Sequence, residues 1–512
     1  MRIALFLFTW LRRLPILFIG YFAAFMLIYL FSLGTVLAVD DVSRITRLLL
    51  GLLQIPQAVL QLEIIALASN GVVMVLLLVA GTLISYNLSV FFYRKSRGRA
   101  KVTVSEPLAP TPGKGTKLDR FNKIGIILAG GGAKGAYQAG AMKAIHEFLE
   151  QNNALDKVKM IAGTSIGSWN SMFWLADLVK SRDGQPSVHE QWWRSISIKR
   201  LVDFDYYFPL YKNSFLLPTP WREGFEQIFV EDPKVHKHLA RLFQAAKQES
   251  ERPIHFYFTR SNVELGHLEF STNRSDLESL SRTSFGRSGK AQQKLVVEPD
   301  RYEFIGGADT QSAIRKMCRG VFASMDLPPL FPYVTVKVDR TEWFEDGGVV
   351  DNLPVWFGTQ LEECDLLFIL PLNASFAEPV NHTSVMKRIF RVMDVRQGAL
   401  ERNSLKLTYL YNELAAAKTH MSKAEAGSTG AENRVRERVH KPVSVFAICP
   451  DQPLTIGTAE LWKNREAGDA FDLMYAETKY ELKEKFEELT QTDWIRLVLV
   501  RPQGERVYVD NF

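Results

Sequence analysis

Three short segments of the chain hold residue types whose order and spacing could do chemistry. In Gly163-Thr164-Ser165-Ile166-Gly167 a serine lies between glycines in the pattern G-x-S-x-G. Small neighbours allow a sharp turn that exposes the hydroxyl as a nucleophile. Gly130-Gly131-Gly132-Ala133-Lys134-Gly135 is a glycine loop. Its backbone can approach a ligand closely and offer free N–H groups to a phosphate or a developing oxyanion. Asp346, followed by Gly347 and Gly348, adds a carboxylate that could accept a proton.

Each segment needs an element to hold it. Residues 124–129 (IGIILA) form an unbroken apolar run before the glycine loop, and 136–151 carry apolar residues at helical spacing after it. That is strand, loop, helix. Residues 158–162 (VKMIA) read as a second strand, and 168–175 continue the serine turn as a helix, the context a nucleophile elbow requires. The glycine loop alone also fits a dinucleotide site. Such a fold places an acidic residue at the end of the second strand, where this chain has Ala162-Gly163.

The nine histidines offer no evident base. None lies in a glycine-framed turn; His146 falls on a helix, His255 in a strand, and the others in polar stretches. Asp346 is better placed, at the end of the strand that includes Glu342-Trp343-Phe344-Glu345. Asp before Gly is also a common turn former, so Asp346 gains its weight from the serine motif.

Together these elements resemble the patatin-like phospholipase family. The glycine loop resembles its oxyanion motif, with Lys134 where the family usually has Arg or Lys. Gly163 to Gly167 matches its elbow, Asp346-Gly347-Gly348 its aspartate motif, and Asn352 and Pro354 also fit. Ala323-Ser324-Met325-Asp326-Leu327-Pro328-Pro329-Leu330-Phe331-Pro332 is similar to its helix end and proline turn. The resemblance covers roughly residues 123–375. It implies an α/β class fold, a three-layer α/β/α hydrolase domain, and a Ser165–Asp346 dyad without metal or other cofactor. Gly130, Gly131, Gly132, Ala133, Lys134 and Gly135 would form the oxyanion hole. The implied activity is phospholipase A-like hydrolysis of fatty acyl esters. Thioester hydrolysis or acyl transfer would use the same residues. A nucleotide-binding membrane protein is the reading from another class, and the loop lacks the Gly-Lys-Ser/Thr of a P-loop. A catalytically silent lipid-binding scaffold is a third, against which Ser165 and Asp346 are intact.

At 512 residues with 47% hydrophobic composition, the chain is too long for one ordinary domain and too apolar for global disorder. Residues 1–101 hold ten Lys and Arg against three Asp and Glu, a balance of +7, while the remainder is near neutral. A basic excess confined to one apolar region points to a membrane surface, not to nucleic acid. Residues 14–39 and 71–93 are apolar runs long enough to span a bilayer, and predict a hairpin of two transmembrane helices. Arg2, Arg12 and Arg13 precede the first; Arg94, Lys95, Arg97, Arg99 and Lys101 follow the second. The positive-inside bias places both outer ends, and everything downstream, in the cytoplasm. Residues 48–69 carry Glu63 and three glutamines and read as interfacial.

The expected organisation is a membrane anchor over 1–101, a Pro/Gly-rich linker over 102–121, a catalytic domain over 122–375, and a C-terminal α/β extension or cap over 376–512. In that last region 385–419 and 466–490 read as helices, 443–448 as a strand and 494–509 as a hairpin. Residues 206–211 and 215–217 are aromatic and apolar, and read as a wall or lid facing lipid. The three cysteines are far apart, which predicts neither a disulfide framework nor a zinc site. Membrane lipids are the expected environment and substrate.

Overall fold

The computed structural model describes residues 117–181, 184–204, 214, 216–244, 253–277, 301–307, 309–328, 330–337, 341–373, 385–426, 442–450, 456–458, 460, 463–486, 495–500 and 506–509. Both predicted spans, 14–39 and 71–93, and the segment 48–69 lie outside them. No described helix is long and apolar enough to cross a membrane.

The strands are β1 (Ile124–Leu128), β2 (Val158–Gly163), β3 (Asp203–Phe204), β4 (Leu216–Leu217), β5 (His255–Asn262), β6 (His267–Thr272), β7 (Tyr302–Phe304), β8 (Val334–Lys337), β9 (Thr341–Asp346), β10 (Leu366–Leu370), β11 (Ser444–Pro450), β12 (Ile495–Val500) and β13 (Arg506–Val509). The helices are α1 (Gly135–Gln151), α2 (Ile166–Leu175), α3 (Val188–Arg194), α4 (Ile198–Leu201), α5 (Thr219–Glu226), α6 (Pro233–Ala240), α7 (Thr310–Ser324), α8 (Val385–Ala426) and α9 (Asn464–Tyr480).

β1 and β10 are buried at every position, as continuous apolar strands of a parallel sheet must be. They pair in parallel, Ile124 with Leu366 through Leu128 with Leu370. β2 pairs with the other edge of β1, also in parallel. The full sheet has eleven strands in the order β13-β12-β11-β10-β1-β2-β5-β6-β7, with β9 joined to β5 and β8 to β9. Parallel strands fill its centre, while β6 runs antiparallel to β5, β9 to β5 and β8, and β13 to β12; β7 pairs with β6 in parallel.

Alternation along the strands sends residues to two faces. Ile124, Ile126 and Leu128 join one apolar cluster with α1, α2, α7 and α9. Ile127, Met160, Leu367 and Ile369 join a second with Leu353, Phe357 and Leu405 of α8. The α/β class is therefore as expected. The core starts early, since Leu118 is fully buried, inside the stretch read as linker. The region from 376 onward adds β11, β12 and β13 to the same sheet, and α9 packs along α1.

β1 lies at the centre of the topology. The chain leaves it toward β2 and returns much later on its other side through β10. Crevices at the carboxyl ends of strands, where the winding reverses, are the ligand sites of open α/β sheets. The glycine loop follows β1 and Ser165 follows β2.

Candidate active site

Ser165 is the one residue between β2 and α2 that carries its backbone to φ 52°, ψ −124°. A residue with a side chain adopts such angles at a cost of about 1–3 kcal/mol. The flanking glycines make room. A Cβ at Gly163 would lie 2.5 Å from Ser168 N, and one at Gly167 2.4 Å from the Leu128 carbonyl. Further contacts over-determine the turn. Thr164 N–H donates to Leu128 O at 3.0 Å, and its hydroxyl is 2.8 Å from that of Thr259. Ser165 N–H donates to Ser324 Oγ at 2.8 Å, and the Ser168 hydroxyl lies 2.8 Å from the same oxygen. Behind the elbow, Trp169 of α2 stacks on Phe225 with centroids 4.2 Å apart and meets Phe322 of α7 edge-on.

Asp346 ends β9 opposite Arg260 of β5. Its N–H donates to Asp326 O at 3.0 Å, and its carbonyl accepts from Ser261 Oγ at 2.9 Å. The carboxylate accepts from Gly348 N–H at 2.8 Å and lies close enough to the Ser165 hydroxyl for that group to favour its charged form. The side chain is buried. Burial pushes its pKa up to about 7, against the Ser165 hydroxyl and the Gly348 N–H, which favour the charged form. Asp326 is buried too, and neither of its carboxylate oxygens has a hydrogen-bond partner among the described residues. Burial lifts it to about 8, opposed by Arg222 and reinforced by the charges of Asp346 and Glu345.

The glycine loop divides into two parts. Ala133 N–H donates to Thr458 O at 2.9 Å and Lys134 N–H to Gly131 O at 3.2 Å. Gly135 N–H bonds back to Ala133 and Gly132. Among the described residues these three N–H groups are committed within the protein. Gly131 and Gly132 instead line a cavity with Ser165 and Asp346. At Gly132 the backbone is left-handed, φ +57°, and a Cβ would sit 2.1 Å from Thr458 O. Gly130 approaches the nucleophile position most closely, with a Cβ there 2.9 Å from Ser165 Cβ. Gly347 passes against Thr259, and Gly348 against Asn352.

The loop is braced by the C-terminal half of the chain. Lys134 turns away from the cavity, its Nζ 2.9 Å from Asp394 Oδ1 on α8 and 3.0 Å from Asn373 Oδ1. The Thr458 hydroxyl donates to the same Asp394 oxygen at 2.7 Å. Asn352 Nδ2 bridges Gly130 O at 3.1 Å and Glu401 Oε1 at 2.5 Å. Glu401, buried on α8, also accepts from the backbone and side chain of Asn373. Its burial raises its pKa to about 7 despite these donors and Lys134.

The cavity, about 80 Å³ in volume, is partly open to solvent. Leu201, Val202, Leu216 and Trp221 form one part of its wall, and Met325, Leu327, Leu330 and Phe331 another. Leu216 belongs to the aromatic and apolar stretch read as a wall; residues 205–213 and 215 lie outside the described residues. The polar side chains on the lining are Ser165, Asp346, Gln397 and Thr458. Thr458 is committed to Asp394. Gln397 is buried, and its Oε1 has no partner among the described residues. No histidine lines the cavity. His189 is buried against Phe173 and Asn170, and desolvation lowers its pKa to about 3.

Asp394, Gln397 and Glu401 were not singled out from sequence. Their spacing of three and four places them on one helix face, which was the available signal. Ser324 and Asp326 lay within a segment recognised only for its turn.

A family model described as patatin-like phospholipase matches residues 126–357. Neuropathy target esterase sws of Drosophila sechellia is 36% identical over 92 residues, which is 17% of this chain and 6% of that protein. The chain thus aligns with a small part of that relative's length. VipD from Legionella pneumophila superposes with a TM-score of 0.30 and 14% identity, over 71% of this chain and 67% of VipD. The family match runs from within β1 through the glycine loop, the serine elbow and the Asp346 strand in order, and over these residues the chain carries a domain similar to the patatin-like phospholipases.

Proposed function

We propose that the protein hydrolyses fatty acyl esters of membrane lipids in a phospholipase A-like reaction, with Ser165 as nucleophile and Asp346 as its base. The observation that carries this reading is a strained, elbow-borne serine and a buried carboxylate raised to about 7 on the wall of one apolar cavity. In this reading Asp346 takes the Ser165 proton as the oxygen attacks the ester carbonyl. The N–H groups of Gly131 and Gly132 receive the developing oxyanion. The alcohol leaves with the proton, and water, deprotonated by Asp346, releases the fatty acid and restores the serine. The leucine-rich wall suits an acyl chain. Lys134, which a phosphate site would direct at its ligand, is instead spent on Asp394, and this argues against nucleotide binding. The predicted hairpin over 14–39 and 71–93 would hold the domain at the cytoplasmic face of a membrane, close to insoluble substrate.

The test is lipid mass spectrometry on the purified full chain beside Ser165→Ala, together with fluorophosphonate labelling. The expected result is fatty acid release and a single labelled serine in the wild type, and neither in the variant. Labelling at another serine, or release by Ser165→Ala, would overturn the proposal.

A further inference from the structure

α8 is 42 residues long, and from 391 to 415 it has two opposed faces. Gln397, Glu401, Leu405, Thr408 and Asn412 are buried and point toward the domain. Val392, Val395, Leu407, Leu410 and Leu414 are between 51% and 68% exposed. These five are half of the exposed large hydrophobic residues among the described part of the chain, so the apolar exposure is concentrated on one element. At about 100° per residue they fall within an arc of about 120°, over about 33 Å of helix. Arg388, Arg396 and Lys406 are exposed within the same arc and Arg402 at its edge, against a single exposed acid among the described side chains, Glu413.

We propose that this outward face of α8 docks on an anionic lipid surface, an inference that rests on the lipid reading above. A stripe of Val and Leu flanked by Arg and Lys is the composition of helices that lie in a bilayer interface, apolar side chains in the acyl boundary and cations at the headgroups. The charge decides between occupants. A second copy packed on the same stripe would bring two sets of four cations together with few acids to answer them. Anionic headgroups complement them. The docked helix is the one whose inner face carries Asp394 and Glu401, so the lipid surface and the glycine loop share a single rigid element.

The experiment uses the full chain reconstituted in vesicles of phosphatidylcholine, with or without phosphatidylglycerol. An environment-sensitive fluorophore is placed at Leu410→Cys, and at Lys483→Cys on α9's continuation, where the side chain is exposed; the unsubstituted chain gives the background. The probe at 410 should shift to the blue and be quenched by spin-labelled lipid, more strongly with phosphatidylglycerol and less at high salt, while that at 483 stays aqueous. The triple variant Leu407→Glu, Leu410→Glu, Leu414→Glu should lose about tenfold of its activity on vesicle lipid and keep its rate on a soluble short-chain ester. An aqueous probe at 410 overturns the proposal. So does a blue shift that tracks protein concentration instead of lipid, which would identify a second copy, or one that spin-labelled lipid cannot quench, which would identify protein cover. The quenching reads insertion whether or not lipid is hydrolysed. Absence of all ester hydrolysis in the wild type would therefore count against the proposed function alone.

Discussion

The kcat/KM for ester hydrolysis should rise with pH along a limb centred near 7. In the proposed reading only an ionised Asp346 can accept the Ser165 proton, and burial holds this carboxyl to about 7. About one tenth of the molecules then carry the ionised base at about pH 6 and about nine tenths at about pH 8, a rise of about tenfold. A carboxyl left near its ordinary value of about 4 would be ionised throughout and give a flat profile. Asp326 titrates higher, at about 8, and is mostly protonated while Asp346 ionises; Asp326→Asn keeps it neutral and should leave the limb in place. The same burial sets a stability trend. The folded chain holds the Asp346 proton at pH values where the unfolded chain has lost it. Stability therefore falls as pH rises between about 4 and 7. Asp346→Asn, nearly isosteric, should melt higher than wild type at about pH 8, with the gap closing at about pH 5. Initial rates on a soluble nitrophenyl ester at low concentration, with thermal melts of the same samples, measure both. A flat rate profile from about pH 5 to 8 would refute the reasoning, as would an Asp346→Asn melting advantage equal at both pH values.

Gly132→Ala would place a Cβ 2.1 Å from the Thr458 carbonyl in a left-handed backbone; kcat should fall by about a hundredfold or more with KM little changed, and a loss under about threefold would mean that Gly132 serves only the turn. Lys134→Met and Asp394→Asn should each lower kcat on the soluble ester, and the double variant should be no worse than the poorer single, because the two share one ion pair; additive losses in that cycle would show that they act separately.

The strand, loop and helix units around the site were legible because each signal is local. Continuous apolar runs marked β1 and β2, and glycines marked the turns that end them. Asp346 was legible as the end of a strand before two glycines. The braces were not. Lys134 and Asn373 are 239 positions apart, and Asn352 and Gly130 are 222; no local pattern joins such pairs. For the same reason the loop's six residues read as one oxyanion cradle, and the folded chain commits the N–H groups of Ala133, Lys134 and Gly135 elsewhere. The C-terminal helices and strands were recognised as elements, but not as a continuation of the sheet beyond β10. That depends on parallel pairing between segments more than seventy residues apart, which leaves no periodicity to read.

The bond from Ala133 N–H to the Thr458 carbonyl also bears on timing during synthesis. Gly132 leaves the ribosome long before Thr458, by about 16–65 seconds at ordinary elongation rates. Throughout that interval the elbow serine can be made and β1 and β2 paired, yet the glycine loop lacks the carbonyl that shapes it. β10 arrives late as well, so the central strand waits for its second neighbour. The glycine loop would thus take its final shape only once Thr458 has emerged to meet Ala133.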